Sequence, residues 1–265
     1  MVDKVDKVGK VSRAIKDDCL LAMQHMENGS VDMIICDLCY GVSDCKWDIP
    51  IPFDVLWRHY ERLIKSDGVI VLTATQPFTS ALVMSNPQLF KYEIIWEKSK
   101  ASNFLQVKRQ VLKAHENVLI FAKGPHTYNP QKTSGKPYSG KNRAGKKGSI
   151  TDVYANVPNP LFRRGSKDGS RYPRSVQYFK TAESEGKQLH PTQKPIALFE
   201  YLIKTFSNEG ELVLDNCAGS FTTAVACDNL NRAWVCIEKD EEYYRVGTER
   251  VNQNRIKLGI EEIEV

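Results

Sequence analysis

Asp37 and Tyr40 stand three residues apart, directly after a mainly apolar run from Val31 to Cys36. The run is typical of a buried parallel strand, and the abrupt change to polar residues marks its carboxyl end. In open α/β sheets, ligands bind at that end of the strands. An acid and an aromatic side chain there could accept a proton from a planar group while the ring stacks on its face. A capping aspartate beside a half-buried tyrosine would give the same pattern, so a second signal is needed.

The second signal is the stretch from Leu212 to Thr223, where an apolar run ends in Asp215 and a turn contains Gly219. Such a turn lets backbone N–H groups and a helix N-terminus approach a ligand closely. It lacks the G-x-G-x-x-G spacing of dinucleotide binders and the G-K-[ST] of nucleotide-triphosphate loops. The next apolar run ends in Glu238, where an acid would accept two ribose hydroxyls. Together these acids suit a nucleoside that carries a positive charge and an amine, such as S-adenosylmethionine.

The elements that must position these residues alternate along the chain. We predict a doubly wound, mostly parallel α/β sheet. The predicted strands are 11–15, 31–36, 69–74, 92–96, 117–122, 211–215 and 233–238. The predicted helices are 19–27, 53–65, 77–85, one beginning near Pro195, 222–230 and 241–257. Ser66-Asp67-Gly68 is expected to end the helix at 53–65.

The composition is that of an ordinary globular protein, at 42% hydrophobic and 26% charged residues. We predict no membrane segment, because no apolar stretch reaches spanning length, and the charged first ten residues are unlike a signal peptide. A cytoplasmic location is expected, and the seven cysteines fit a reducing compartment. Cys36 and Cys39 form a C-x-x-C with Cys45 nearby, so zinc or redox use is an alternative, but no second pair completes a metal site.

Positive charge is concentrated in residues 98–188, which hold 19 Lys and Arg against 5 Asp and Glu. From Lys123 to Leu189 the hydrophobic periodicity disappears, although isolated aromatic residues continue. A solvated loop or a disordered linker is the alternative, but linkers seldom carry so many aromatic residues. A basic segment in an otherwise acidic chain favours a face that binds nucleic acid.

These motifs, in this order, resemble the permuted β group of the DNA amino-methyltransferases. Asp37-Leu38-Cys39-Tyr40 resembles their D-P-P-Y motif, and 215–223 resembles their D-x-F-x-G-S-G-T-T turn. His190-Pro191-Thr192-Gln193-Lys194-Pro195 matches the element that precedes that turn. The resemblance spans nearly the whole chain and also includes 96–98, 115–116 and 171–175. It implies a Rossmann-like methyltransferase domain with a loop-rich basic insert: a catalytic half at 1–122, a target-recognition insert at 123–188 and a cofactor-binding half at 189–265.

By this resemblance, Asp37 and Tyr40 are the catalytic residues and S-adenosylmethionine is the cofactor. The implied cofactor-binding residues are Asp18, Asp37, Thr192, Lys194, Asp215, Gly219, Ser220, Phe221, Thr222 and Glu238. The implied partner is double-stranded DNA. We expect phosphate contacts from Lys141, Arg143, Lys146 and Lys147, and base contacts from Arg163, Arg164, Arg171 and Arg174, because base readout needs bidentate donors. A homodimer and a partner nuclease are left open.

Two positions depart from the family pattern. Cys39 stands where the motif usually has proline, and Phe221 stands where the turn usually has a second glycine. Family members that act on cytosine N4 usually begin the catalytic motif with serine, so Asp37 favours adenine N6. Reaching that amine requires flipping the base out of the helix. Cytosine-N4 methylation and a degenerate DNA-binding protein that retains the cofactor pocket remain as alternatives.

Overall fold

The computed structural model describes residues 12–41, 48–139, 165–186 and 188–263. They fall into two compact units, of which the smaller is Pro130–Arg174. Cys45 lies outside the described residues, as do Lys141, Arg143, Lys146, Lys147, Arg163 and Arg164. No helix within the described ranges is long and apolar enough to cross a bilayer.

The described residues form strands of very different lengths and six α-helices. The strands are β1 (Arg13–Lys16), β2 (Val31–Asp37), β3 (Ile64–Ala74), β4 (Phe90–Ser102), β5 (Lys113–Phe121), β6 (Tyr138–Ser139), β7 (Gly165–Ser166), β8 (Val176–Phe179), β9 (Leu212–Asp215) and β10 (Ala233–Glu238). The helices are α1 (Cys19–Gln24), α2 (Phe53–Leu63), α3 (Phe78–Ser85), α4 (Ile196–Phe206), α5 (Thr222–Asn229) and α6 (Glu241–Leu258).

Eight strands of the larger unit form one sheet in the order β1-β10-β9-β2-β3-β5-β4-β8. The strands from β1 to β3 are parallel to their neighbours, and β8 is parallel to β4. Strand β5 is antiparallel to both β3 and β4. The predicted fold class, a mostly parallel doubly wound sheet, is confirmed.

The sheet is buried on both faces, and β2 shows why its sequence is an apolar run. Met33 and Ile35 belong to one core cluster, which α4, α5 and α6 cover. Ile34 and Cys36 belong to the other, which α1, α2 and α3 cover. Because successive side chains of a strand point to opposite faces, a strand between two layers of helices must be apolar at almost every position.

Strands β4 and β5 form a long hairpin that passes the carboxyl edge of the parallel strands. Strand β3 ends at Ala74, which lies opposite Asn117 on β5, but β5 begins four residues earlier at Lys113. Strand β4 continues alongside to Ser102, opposite Lys113. The connecting residues, 103–112, therefore stand beyond the edge at which the ends of β2, β9 and β10 lie.

Strand β3 corrects one detail of the prediction. Helix α2 ends at Leu63, and β3 begins at once with Ile64, so Ser66-Asp67-Gly68 lie inside a strand instead of ending a helix. The pairing of β2 with β3 is irregular here, between Val31 and Met33. Gly68 fits because an added Cβ would come within 2.8 Å of the Asp32 carbonyl oxygen.

The smaller unit contains the antiparallel pair of β6 and β7 and a bridge between Thr133 and Arg171. The Arg171 guanidinium donates to the carbonyl oxygens of Gly169, at 2.7 Å, and Lys136, at 2.6 Å. It also lies over the Tyr138 ring, 4.3 Å from its centre. Arg171 thus holds loop backbone together here, while Arg174, the other described candidate for base readout, is exposed.

Candidate active site

The ends of β2, β9 and β10 surround a cavity of about 1160 Å³ in the larger unit. The strands are parallel and their pairing sets Cys236 beside Asp215, so Asp37, Asp215 and Glu238 all reach the same edge. Most of the residues predicted for the site line this cavity: Asp18, Asp37, Tyr40, Thr192, Lys194, Asp215, Gly219, Ser220, Thr222 and Glu238.

The Asp37 carboxylate is held from both sides. One oxygen, Oδ1, accepts hydrogen bonds from the Tyr40 hydroxyl, at 2.6 Å, and from the Thr73 hydroxyl on β3. The other, Oδ2, is ion-paired with the Lys194 ammonium. The Tyr40 ring is positioned by Phe78, with ring centres 5.0 Å apart. Burial and the Asp37 charge raise the pKa of Tyr40 well above its usual value, so its hydroxyl remains a donor to Asp37.

Lys194 lies between two carboxylates. Its side chain is only 8% exposed, and its Nζ lies 3.6 Å from Glu116 Oε2 on β5, in addition to its contact with Asp37. Burial alone would lower the pKa of Lys194, but the attraction of Asp37 and Glu116 outweighs it and raises that pKa. The lysine is therefore a fixed positive charge beside the catalytic candidate.

Glu116 and Lys98 complete a buried row of alternating charges. Lys98 donates to Glu116 Oε1 at 3.1 Å, and both side chains are largely buried. Burial would raise the pKa of Glu116, but Lys194 and Lys98 lower it, so the carboxylate is ionised. Glu116 Oε2 is a buried acceptor with no hydrogen-bond partner among the described residues, and the Lys194 ammonium lies 3.6 Å from it.

The turn between β9 and α5 is shaped by its backbone. Gly219 has φ +51°, in the left-handed region that glycine adopts most readily, and its N–H donates to Glu238 Oε2 at 2.8 Å. The other oxygen of Glu238 accepts the Asp240 N–H at 2.8 Å. Burial raises the pKa of Glu238, which these backbone hydrogen bonds partly oppose. One carboxylate thereby joins the turn to the end of the neighbouring strand.

Asp215 lies beneath the same turn and is fully buried. It accepts the Cys217 N–H at 3.1 Å and the Thr223 hydroxyl. Burial raises the pKa of Asp215 to about 7, and the hydrogen bonds from Thr223 and Cys217 oppose that rise only in part. Asp215 thus fixes the turn by hydrogen bonds from neutral donors.

Phe221 lies outside the described lining of the cavity. It precedes α5 with φ +59°, and its side chain is completely buried. The ring packs against α6 beside Tyr244, with ring centres 6.0 Å apart. The ring fits there because residue 247 is glycine: an added Cβ at Gly247 would lie 2.1 Å from the ring. The side chain at this departure from the family pattern is therefore part of the core.

Asp18 and Thr192 are two further predicted cofactor residues in the lining of the cavity. Asp18 caps α1 by accepting the Leu20 N–H at 3.0 Å and pairs with Lys239 at 3.1 Å. Thr192 contacts His190 Nδ1 through its backbone N–H and its hydroxyl. The His190 ring packs on the edge of Tyr243, with centres 4.2 Å apart, and burial lowers the pKa of His190.

Sequence reasoning did not assign roles to Glu116, Lys98 and Thr73. The signal for Glu116 and Lys98 was present, since both belong to short motifs included in the resemblance. Their connection to Asp37 depends on the antiparallel hairpin, which the motif order does not reveal. Thr73 follows an apolar run on β3 and lies beside Asp37 because the two strands are in register there.

The cysteines near the site are thiols in a protein interior. Burial raises the pKa of Cys36 and of Cys39 to about 12. Within the described ranges, no group of three or more His, Cys, Asp or Glu side chains is arranged to hold a metal ion. Cys45, the third cysteine of the zinc alternative, lies outside those ranges.

Comparison with known proteins gives consistent matches. The family model described as DNA methylase matches residues 31–249. Type II methyltransferase M1.MboII of Moraxella bovis is 29% identical over 93% of this chain and 99% of its own. DNA adenine methyltransferase YhdJ of Escherichia coli K12 is 28% identical over 90% of this chain and 82% of its own. The solved M1.HpyAVI–SAM complex has a TM-score of 0.61 at 23% identity, over 91% of this chain and 98% of that one.

Proposed function

Since the chain belongs to the DNA methylase family of N6 and N4 amino-methyltransferases, we propose that it methylates N6 of a flipped adenine in duplex DNA, with S-adenosylmethionine as the methyl donor. The observation that carries the proposal is the Asp37 carboxylate, held by Tyr40, Thr73 and Lys194 in one cavity with the turn at Gly219. A hydrogen-bond acceptor for the target base and a turn that can bind the cofactor lie in one cavity. This arrangement suits direct transfer of a methyl group from the cofactor to the base.

The cavity fits this cofactor together with a base. Pockets for a single small ligand are usually about 300–1,000 Å³, so about 1160 Å³ has room for more than one group. Acids line it where a cationic nucleoside would need them, and the buried Thr75 hydroxyl in its lining has no partner among the described residues. Glu238 and Asp18 would hold the nucleoside, and the turn from Asp215 to Thr222 with Thr192 would hold the amino-acid part. One solved relative was crystallised with this molecule.

Asp37 would act on the exocyclic amine. The lone pair of this nitrogen is delocalised into the ring, and a carboxylate that accepts its hydrogens favours a tetrahedral nitrogen. Tyr40 and Thr73 use both lone pairs of Asp37 Oδ1, but Oδ2 has a second lone pair beyond the one used by Lys194, and it can accept an amine hydrogen. The Leu38 carbonyl would accept the other hydrogen, and the Tyr40 ring would stack on the base. When bound, the cofactor supplies the electrophilic methyl group, so Asp37 has to orient the amine and receive its proton.

Lys194 would keep that acceptor in place. Its ammonium is paired with Asp37 Oδ2, and Glu116 in turn holds the ammonium. The base would thus meet an oriented acceptor.

Two observations favour adenine over cytosine. The catalytic motif begins with Asp37 instead of the serine usual in members that act on cytosine N4, and one matched relative is named a DNA adenine methyltransferase. We propose duplex DNA as the partner on the strength of the basic segment at 98–188. Cytosine-N4 transfer is the second candidate in the same family.

The test is to identify the product base. The protein is incubated with unmethylated duplex DNA and methyl-labelled S-adenosylmethionine, and the DNA is digested to nucleosides. We expect label in N6-methyl-2′-deoxyadenosine, and none with Asp37→Ala. Label only in N4-methyl-2′-deoxycytidine would assign the second candidate. Cofactor binding with no methylated base over a range of DNA and salt would support the degenerate alternative.

A further inference from the structure

The tip of the β4–β5 hairpin, residues 103–112, exposes apolar side chains to an unusual degree. Phe104 is 72% exposed, Leu105 82% and Val111 90%. Phe104 and Leu105 lie in a 3-10 helix that follows Asn103, a residue at φ +70°. The turn thus presents two large neighbouring apolar side chains outward. Large apolar groups clustered on a surface usually mark a contact site.

The position of the hairpin tip indicates what it contacts. It stands beyond the carboxyl edge of the sheet, and Asn103 and Phe104 line the same cavity as Asp37 and Tyr40. An occupant of that cavity would therefore lie beside the hairpin tip. If the occupant is a base from duplex DNA, as the proposed function requires, the remaining helix lies against this loop.

The charges of the hairpin tip fit the same occupant. Lys108 and Arg109 are exposed beside the apolar side chains, and Lys113 follows at the start of β5. Protein–protein interfaces are depleted of lysine in their cores. Proteins that insert apolar side chains between base steps also use Arg and Lys at the DNA, and such cations neutralise phosphates.

From these observations we propose that Phe104 and Leu105 form a wedge that enters the duplex beside the flipped adenine and occupies the gap it leaves. The proposal rests on the proposed function. Flipping removes stacking on both sides of the target base. An aromatic and an aliphatic side chain in the gap would restore part of that contact, while Lys108 and Arg109 neutralise the flanking phosphates.

The experiment compares the variant Phe104→Ala/Leu105→Ala with wild type on two substrates. One is a paired duplex, and the other carries an abasic site opposite the target adenine, so that no base pair has to be broken. We expect single-turnover methylation of the paired duplex to fall about tenfold or more, and that of the unpaired substrate to stay within about threefold. Phe104→Leu keeps apolar bulk and should stay near wild type. Met84→Ala removes a 71% exposed apolar side chain from α3 and serves as the matched control.

An equal loss of methylation rate on both substrates would overturn the wedge, and so would an unchanged rate on both. A wild-type dimer that the double variant dissociates would assign the hairpin tip to a second copy of the chain instead. The affinity for mixed-sequence duplexes with and without an abasic site is measured in parallel and needs no methyl transfer. If wild type transfers no methyl group, the proposed function fails, but the affinities still test the wedge. A loss of affinity by the double variant that is confined to the fully paired duplex supports the wedge. An equal loss on both duplexes, or no loss, overturns it.

Discussion

Asp37 and Asp215 end neighbouring strands of the same sheet, yet their carboxyl groups have different kinds of partner. Asp37 is paired with a lysine and belongs to a row of alternating charges that includes Glu116 and Lys98. Asp215 is surrounded by neutral donors, and its pKa rises to about 7. The same residue type at the same strand position is ion-paired in one case and accepts hydrogen bonds from neutral donors in the other.

The difference shows what each region contributes. In the Asp37 region, side-chain charges and hydroxyl groups hold the carboxylate in place. In the turn from Asp215 to Thr222, backbone shape provides the cradle, and the acids at its base bind N–H groups of that backbone. Substitutions in the first region should therefore act on chemistry and on charge balance, and those in the second on packing.

The largest effect is expected for Asp37→Ala. General acid–base catalysis contributes about 10²–10⁴-fold, and positioning of the amine is lost as well, so we expect single-turnover transfer to fall by about 10³-fold or more. DNA affinity should stay within a few-fold. Asp67→Ala, an exposed aspartate within β3, is the control. Normal turnover of Asp37→Ala would contradict the mechanism.

Lys194→Met should chiefly affect stability. Breaking a buried ion pair by removing one partner costs about 3–5 kcal/mol, and here two carboxylates lose a shared cation. In the folded protein Lys194 and Lys98 hold the pKa of Glu116 below its usual value, so that stabilisation is present at neutral pH and is lost as the pH falls through the acid range.

The destabilisation by Lys194→Met should therefore be largest near pH 7 and shrink below about pH 4.5. Urea unfolding at pH 7 and pH 4 measures it. Lys257→Met removes an exposed lysine and should change stability by less than about 0.5 kcal/mol. A Lys194→Met effect that does not depend on pH would mean that packing, not charge, makes this lysine matter.

Gly247→Ala tests the packing of the turn. The new methyl would meet the Phe221 ring at 2.1 Å, and overpacking costs about 1–3 kcal/mol, while alanine gains back about 1 kcal/mol of helix propensity. We expect a net loss of up to about 2 kcal/mol. In a Phe221→Gly background the same substitution should stabilise instead. A thermal-unfolding double-mutant cycle would refute this coupling if both backgrounds gave the same sign.

Cys39→Ser should have the smallest effect. Burial raises the pKa of Cys39 to about 12, so the residue is a neutral thiol at working pH and adds no charge beside Asp37. We expect turnover within about threefold of wild type and no stoichiometric zinc in either protein. Bound zinc that is lost with Cys39→Ser would establish the metal alternative.

The regular parts of this molecule could be predicted because they carry local signals. The runs at 31–37, 212–215 and 233–238 are strands that end in acids, and parallel pairing brings their ends together. The limit appears at Ser66-Asp67-Gly68, which has the composition of a helix stop but lies in a strand. That outcome depends on the irregular pairing with β2, a contact that no local pattern encodes.

The charge row around Lys194 shows a second limit. Lys194 and Asp37 each belong to a recognisable motif, but their pairing joins positions 157 residues apart. Glu116 reaches Lys194 only because β5 runs antiparallel. Phe221 shows a third limit, since its left-handed backbone lets the ring pack toward Gly247, a direction set by α6 and not by the turn.

The pairing of β2 with β9 affects the order in which the site forms as the chain is synthesised and folds. It places Met33 beside Val213, and a side-chain oxygen of Asp32 accepts the Leu212 N–H at 2.8 Å across it. Contacts of such high sequence separation form slowly, because a long loop must close before they contribute. During synthesis, which proceeds N-terminus first, Asp37 is made 157 residues before Lys194. The acid would therefore remain without its cation while all of those residues are added.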